Sequence, residues 1–189
     1  MSARTRAKRR PRLELPSAGV TAVSFLLRRV DEGGPWPLTR VLTSLAAFDV
    51  ERLGVARALG DRHGIPLVHS QELRWGRHQV FLEARHGPDG IDELSCELPP
   101  WDDLAGTVDG DVVWDFVDAV AMAADAQFGS IGDGEPAETA LPTGAAALSA
   151  QLRRHLALLL PEWISDDVAE AGATIARTLD GSGLLVVTG

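Results

Sequence analysis

Four of the five histidines, His63, His69, His78 and His86, lie six, nine and eight residues apart, and His155 is remote. Two imidazoles reach one metal readily when they sit four residues apart on a helix or in a His-x-His strand. Neither spacing occurs, and the single cysteine, Cys96, has no second thiol to join it. The expectation is no metal and no cofactor. Cys96 alternates with Leu94 and Leu98, so it reads as a small core residue and not as a nucleophile. The glycine-rich run 129–134 (GSIGDG) invites a phosphate-loop reading. Such loops follow a strand and open a helix, where N–H groups face the phosphate. This run follows a helical pattern and lacks the Lys–Ser/Thr ending, and Phe128 breaks the Gly-x-Ser-x-Gly register. It reads as a helix stop followed by a loop.

Carboxylates are numerous. Glu83 and Glu97 could face one another across a hairpin, but an acid–base pair needs a cleft and shifted pKa values, which spacing does not supply. A solvated strand face is the plainer reading. An enzyme with a loop-assembled site, around His78, His86 and Glu83, stays open as an alternative.

Asp111, Asp115, Asp118 and Asp125 follow steps of four, three and seven. On a helix they share one face, opposite the apolar stripe Val113, Phe116, Val117, Val120, Ala124 and Phe128. Like charges at i, i+4 cost a few tenths of a kcal/mol each, so helix stability does not ask for this row. It serves either solubility or docking of a basic partner protein, with electrostatic steering. Trp101 and Trp114 flank it. Trp is favoured at binding hot spots, although burial is its commoner fate on a helix. The docking expectation names Asp111, Trp114, Asp115, Asp118 and Asp125.

A second charged feature opens the chain. Arg4, Arg6, Lys8, Arg9, Arg10 and Arg12 put six cations and no acid into twelve residues. Such an arm can bind nucleic acid or an anionic surface, or fold back on acidic residues of its own body or of a neighbour. No recognition helix, aromatic platform or zinc knuckle follows it. The remaining 177 residues hold 12 Lys/Arg against 27 Asp/Glu, so a +6 arm joins a −15 body and the whole carries −9. That body opposes sustained contact with a polyanion. Lys8 is the only lysine and tyrosine is absent, which reads as the coding bias of a GC-rich bacterial genome.

The elements that must position these residues follow from periodicity. The chain has 189 residues, 45% hydrophobic and 24% charged, the balance of an ordinary globular domain able to bury roughly 70% of its open-chain surface. Residues 1–17 lack periodicity and form an expected disordered basic arm, and 18–189 form one domain. Residues 20–30 read as a buried strand and 38–48 as a helix. The stretch 50–59 alternates like a strand with a slip at Leu53, and Gly54 argues against helix. Residues 73–85 and 91–98 read as a hairpin about 86–90. Residues 111–128 are the clearest helix, 130–144 a flexible loop, and 145–160 a second helical pattern. A short helix over 162–171 and a hairpin of 174–179 with 184–188 close the chain. The fold expected is α+β, a largely antiparallel sheet with helices packed on one face.

No apolar run reaches the 18 or so residues that span a bilayer. The apolar run 18–27 ends in Arg28 and Arg29 with no small-residue cleavage site, which argues against a secretion signal and for a cytoplasmic protein. In size, acidity and layout the chain resembles bacterial interaction proteins of the immunity and adaptor kind, a likeness carried by no motif. It implies a non-enzymatic protein that meets a basic partner. A structural or nucleic-acid-associated subunit using the arm is the other alternative.

Overall fold

A computed structural model describes residues 21–28, 37–59, 68–86, 91–100, 110–132, 141–179 and 183–187. Nine strands form one sheet: β1 (Thr21–Arg28), β2 (Val50–Leu59), β3 (Val68–Trp75), β4 (His78–His86), β5 (Ile91–Leu98), β6 (Ala126–Gly132), β7 (Ala157–Leu160), β8 (Thr174–Leu179) and β9 (Gly183–Val187). Their spatial order is β2-β3-β4-β5-β1-β6-β7-β9-β8, and every neighbouring pair is antiparallel. Among the described residues four α-helices join them: α1 (Pro37–Ser44), extended by a 3-10 turn over Leu45–Phe48, α2 (Gly110–Ala124), α3 (Ala145–Leu152) and α4 (Ser165–Glu170). The class is α+β. Among the described residues no helix is long and apolar enough to cross a membrane.

Side-chain alternation assigns each strand residue to one of two faces. On the first face Val23, Phe25 and Leu27 of β1 join Leu73, Leu82, Leu94, Cys96 and Ile131 under Leu38 and Val41 of α1 and Val113, Phe116, Val117 and Val120 of α2. Aromatic contacts fix this layer. The Phe116 ring stacks on Trp75 at 4.5 Å between centroids and meets Phe48 edge-on at 5.7 Å. Arg40 of α1 donates to the carbonyl of Ala124 at 3.2 Å, a cation on an orphan acceptor at the C-terminus of α2. On the second face Leu26, Phe128, Leu158, Leu160, Leu184 and Val186 pack under Leu148 and Leu152 of α3 and Ile164 and Val168 of α4.

The helices thus divide between the faces, where one face was expected. The reason lies in β7 and β9, which are apolar on both sides, and in Leu26 of β1 and Phe128 of β6, which extend the second apolar face. The helical pattern expected over 145–160 likewise covers two elements. Helix α3 stops at Leu152, and Ala157–Leu160 is a strand buried on both faces, a run whose periodicity matches either state. The helix expected to reach Phe128 ends at Ala124. Asp125 takes a left-handed turn (φ 56°), which Asp tolerates, and Phe128 then points to the second face from β6. Residues 129–132, expected as stop and loop, are buried strand. The strand expected over 73–85 is two strands about Gly76 (φ 59°) and Arg77, glycine first as a tight hairpin requires. Strands β1 (within the expected 20–30), β2, β5 and β8 and the short helix after Pro161 lie where periodicity put them, with residues 20, 29 and 30 outside the described residues.

Candidate functional site

Among the described residues, the helices on the second face pack over Leu26 of β1 and from β6 outward. Across β4, β5 and β1 the same face carries polar side chains at alternate positions. Glu83, Ser95 and Ser24 lie opposite one another in register, and Ser130 of β6 continues the row. On one side of that row Arg85 opposes Glu93, and Glu93 opposes Leu26; on the other, Glu97 opposes Ala22. The other faces of these strands hold Leu82, Leu94, Cys96 and Val23 in the core, which fixes the strands' orientation and turns the polar set outward.

Together Ala22, Ser24, Glu83, Arg85, Glu93, Ser95 and Glu97 line a trough of about 170 Å³. Three carboxylates share it with one guanidinium. Arg85 Nη2 donates to Glu83 Oε1 at 2.7 Å, and the Ser95 hydroxyl reaches the Glu83 carbonyl at 3.5 Å. Glu93 titrates above the usual carboxylate range. Burial is the main cause, the Arg85 charge draws it partly back, and Glu83 adds repulsion. Ser24, which lines the trough, is only 4% exposed. Beyond Ala22 the face continues as Gly132, where a Cβ would stand 3.4 Å from Nδ1 of His155. The trough is smaller than the 300 Å³ or more usual for small-molecule sites. Its size and chemistry suit a cationic side chain.

The docking residues expected on α2 have different fates. Trp114 is 7% exposed and belongs to the core, so it is no surface anchor. Asp115 is exposed and Asp118 half-buried, and each already has a polar or electrostatic partner. Asp125 lies beyond the helix, in its left-handed C-terminal turn. Asp111 falls within α2, but its side chain, like Trp101, Asp102, Asp103, Asp109 and the basic arm Arg4 to Arg12, lies outside the described residues. The loop from 133 to 140 does too.

The histidine constellation does not assemble. His78 and His86 sit at opposite ends of β4, about 27 Å apart at strand rise, and Glu83 points to the other face from both. His86 Nδ1 instead bonds Asp92 Oδ1 at 2.8 Å, with Asp92 buried. Near it, His69 titrates below its ordinary value, through burial first and then the charge of His86. Among the described residues no three His, Cys, Asp or Glu side chains gather as a metal-ligand set. Burial, with Glu97 nearby, pushes the Cys96 thiol far up, so it supplies no thiolate at neutral pH.

Sequence reasoning singled out Glu83 and Glu97 but not Glu93, Arg85, Ser24 or Ser95. The signal was present as the alternation of Glu93, Ser95 and Glu97 with Leu94, Cys96 and Leu98. What it lacked was the knowledge that the described helices of the second face pack over β6, β7 and β9 and not over this set. Comparison of the chain with family models, with curated proteins and with solved structures finds no match.

Proposed function

We propose that this chain is a non-enzymatic interaction protein whose open sheet face, the trough between β4, β5 and β1, receives an arginine-bearing segment of a basic partner protein. The observation that carries the reading is the composition of the trough: Glu83, Glu93 and Glu97 line it together with one cation, Arg85, and no described helix packs on it. A second guanidinium entering there meets carboxylates able to take it in bidentate fashion and two serine hydroxyls able to accept from it. The partner chemistry matches the basic partner expected from the acidity of the body, but the site moves from the face of α2 to the sheet.

An arginine-rich peptide titrated into the chain by calorimetry tests the proposal. Binding should weaken at least tenfold between 50 and 300 mM salt, as exposed charge pairs are screened. The triple substitution E83Q/E93Q/E97Q should weaken it at least tenfold at low salt. The exposed single change Glu97→Gln, which leaves the core untouched, should weaken it severalfold. Equal affinity of wild type and both variants would overturn the reading.

A further inference from the structure

We infer that the outer end of β2, residues 57–59, is a latch that acid releases from β3, with the bulge at 54–56 as its hinge and His69 as the group that takes up the proton. The inference concerns the edge of the sheet and stands apart from the trough.

The hinge follows from the pairing of β2, the last strand in the order of the sheet. Its first half, Val50 to Leu53, pairs residue for residue with Trp75 to Glu72. Residues 54–56 then leave the ladder, and pairing resumes with Arg57, Ala58 and Leu59 against Ser70, His69 and Val68. Gly54 takes φ 71°, and Val55 is 89% exposed. Gln71, 3% exposed, lies opposite the gap, and its Nε2 donates to the carbonyls of Leu53 at 3.1 Å and Glu72 at 2.8 Å. That side chain seals the ladder at Leu53, so the three pairs beyond the bulge hold by themselves. Arg57 and Ala58 are exposed, so little apolar burial supports those pairs. A short exposed ladder of this kind opens locally at low cost.

His69 sits in the middle of the three pairs, between Ala58 of β2 and Ala84 of β4. On the same face His86 lies two residues beyond Ala84, and its Nδ1 bonds Oδ1 of Asp92, a carboxylate 4% exposed on β5, at 2.8 Å. The other charged side chains along these pairs, Arg57, Glu83, Arg85 and Glu93, alternate to the opposite face. On α1, Arg40 is turned to the carbonyl of Ala124. The Asp92 carboxylate is thus engaged by His86, and a cation on His69 meets burial and then the charge of His86. Detaching residues 57–59 returns His69 to water, which hydrates the cation, so proton uptake and opening favour one another. Opening bares the backbone edge of residues 68–70.

Amide hydrogen exchange followed by NMR on the full chain tests the latch, at pH 7.5 and 5.5 and corrected for the intrinsic rate of exchange. In wild type the opening constant of the protected amides among residues 57–59 and 68–70 should rise about fivefold or more towards the lower pH. One proton permits a rise of about tenfold per pH unit at most. Protected amides of residues 50–53, β1 and β5 should change by less than about twofold, since they lie outside the latch. His69→Gln should remove the local rise. The absence of a local rise in wild type, a rise spread evenly over the sheet, or a rise undiminished in H69Q overturns the inference. The wild-type pattern decides the matter even where the variant fails to fold.

Discussion

Replacing Glu93 by Gln should stabilise the protein and weaken its binding. Glu93 stands on β5 between Arg85 of β4 and Leu26 of β1, half-buried, with its titration raised mainly by burial. The sign follows from linkage. The folded-state pKa lies above the unfolded one, so the unfolded chain releases this proton first. The stability this group contributes is fully present below the unfolded value near 4.5 and is lost as pH rises through the folded value. At neutral pH the carboxylate is therefore a liability, and a neutral amide of the same shape removes it. Solvent at the trough mouth and the Arg85 charge both limit the effect, which should be below about 1 kcal/mol. In a chain of this size that is up to about 2–4 °C in Tm. Thermal melts at pH 4 to 8 and constant ionic strength measure it. The variant and wild type should coincide near pH 4 and diverge towards pH 7, with E93Q the more stable, while affinity for an arginine-rich peptide falls severalfold. A variant less stable at pH 7, or a difference that ignores pH, would refute the reasoning.

Three further outcomes follow from the packing. Phe116→Ala empties a fully buried site between Trp75 and Phe48 and should cost about 3–5 kcal/mol, read as a lower urea midpoint. Gly183→Ala should abolish folding or nearly so, because a Cβ there stands 2.2 Å from the Leu160 carbonyl oxygen at φ +117°, whereas Gly54→Ala meets open space and should cost only about 1 kcal/mol of backbone strain; soluble yield and melts compare the two. His69 titrates low, so the unfolded chain takes up its proton first as pH falls through about 6.5, and stability present above that pH declines until the folded form protonates as well. His69→Gln should flatten the stability–pH profile between pH 7 and 5, and an unchanged slope there would remove His69 as its source.

Much of the sheet was legible because its strands carry one polar and one apolar face. Leu94, Cys96 and Leu98 alternating with Glu93, Ser95 and Glu97 is such a signal, and β5 lies where it placed it. The failures occurred where that contrast vanishes. Ala157–Leu160 is buried on both sides, so no period distinguishes it from the end of α3. Phe128 continues the spacing of α2 by coincidence of number, although Asp125 has already turned the chain onto the opposite face. Local pattern contains neither the switch of covering helices at β6 nor the trough that forms beside β1. The aspartate row on α2 was conspicuous for the opposite reason: like charges at helical spacing stand out in one dimension, whereas carboxylates from β4 and β5 meet only after the strands pair.

That offset of the two helical layers explains why the trough sits where it does, and Ser24 tests the explanation. On β1 the second face begins with Ala22 and Ser24, under no described helix, and reaches the α3–α4 layer only at Leu26. A serine row through the middle of a nine-stranded sheet, Ser95–Ser24–Ser130, forgoes the β-branched packing that a central strand favours. If the row exists to keep a polar floor for a cation, Ser24→Val should be neutral or stabilising by up to about 1 kcal/mol, since the open trough accommodates the added methyls. The same change should weaken arginine-peptide binding severalfold. If the hydroxyl instead serves the fold, the valine variant should lose more than about 1 kcal/mol, the cost of a broken buried hydrogen bond. A chemical-denaturation curve beside a peptide titration separates the two, because the functional account requires stability and affinity to move in opposite directions.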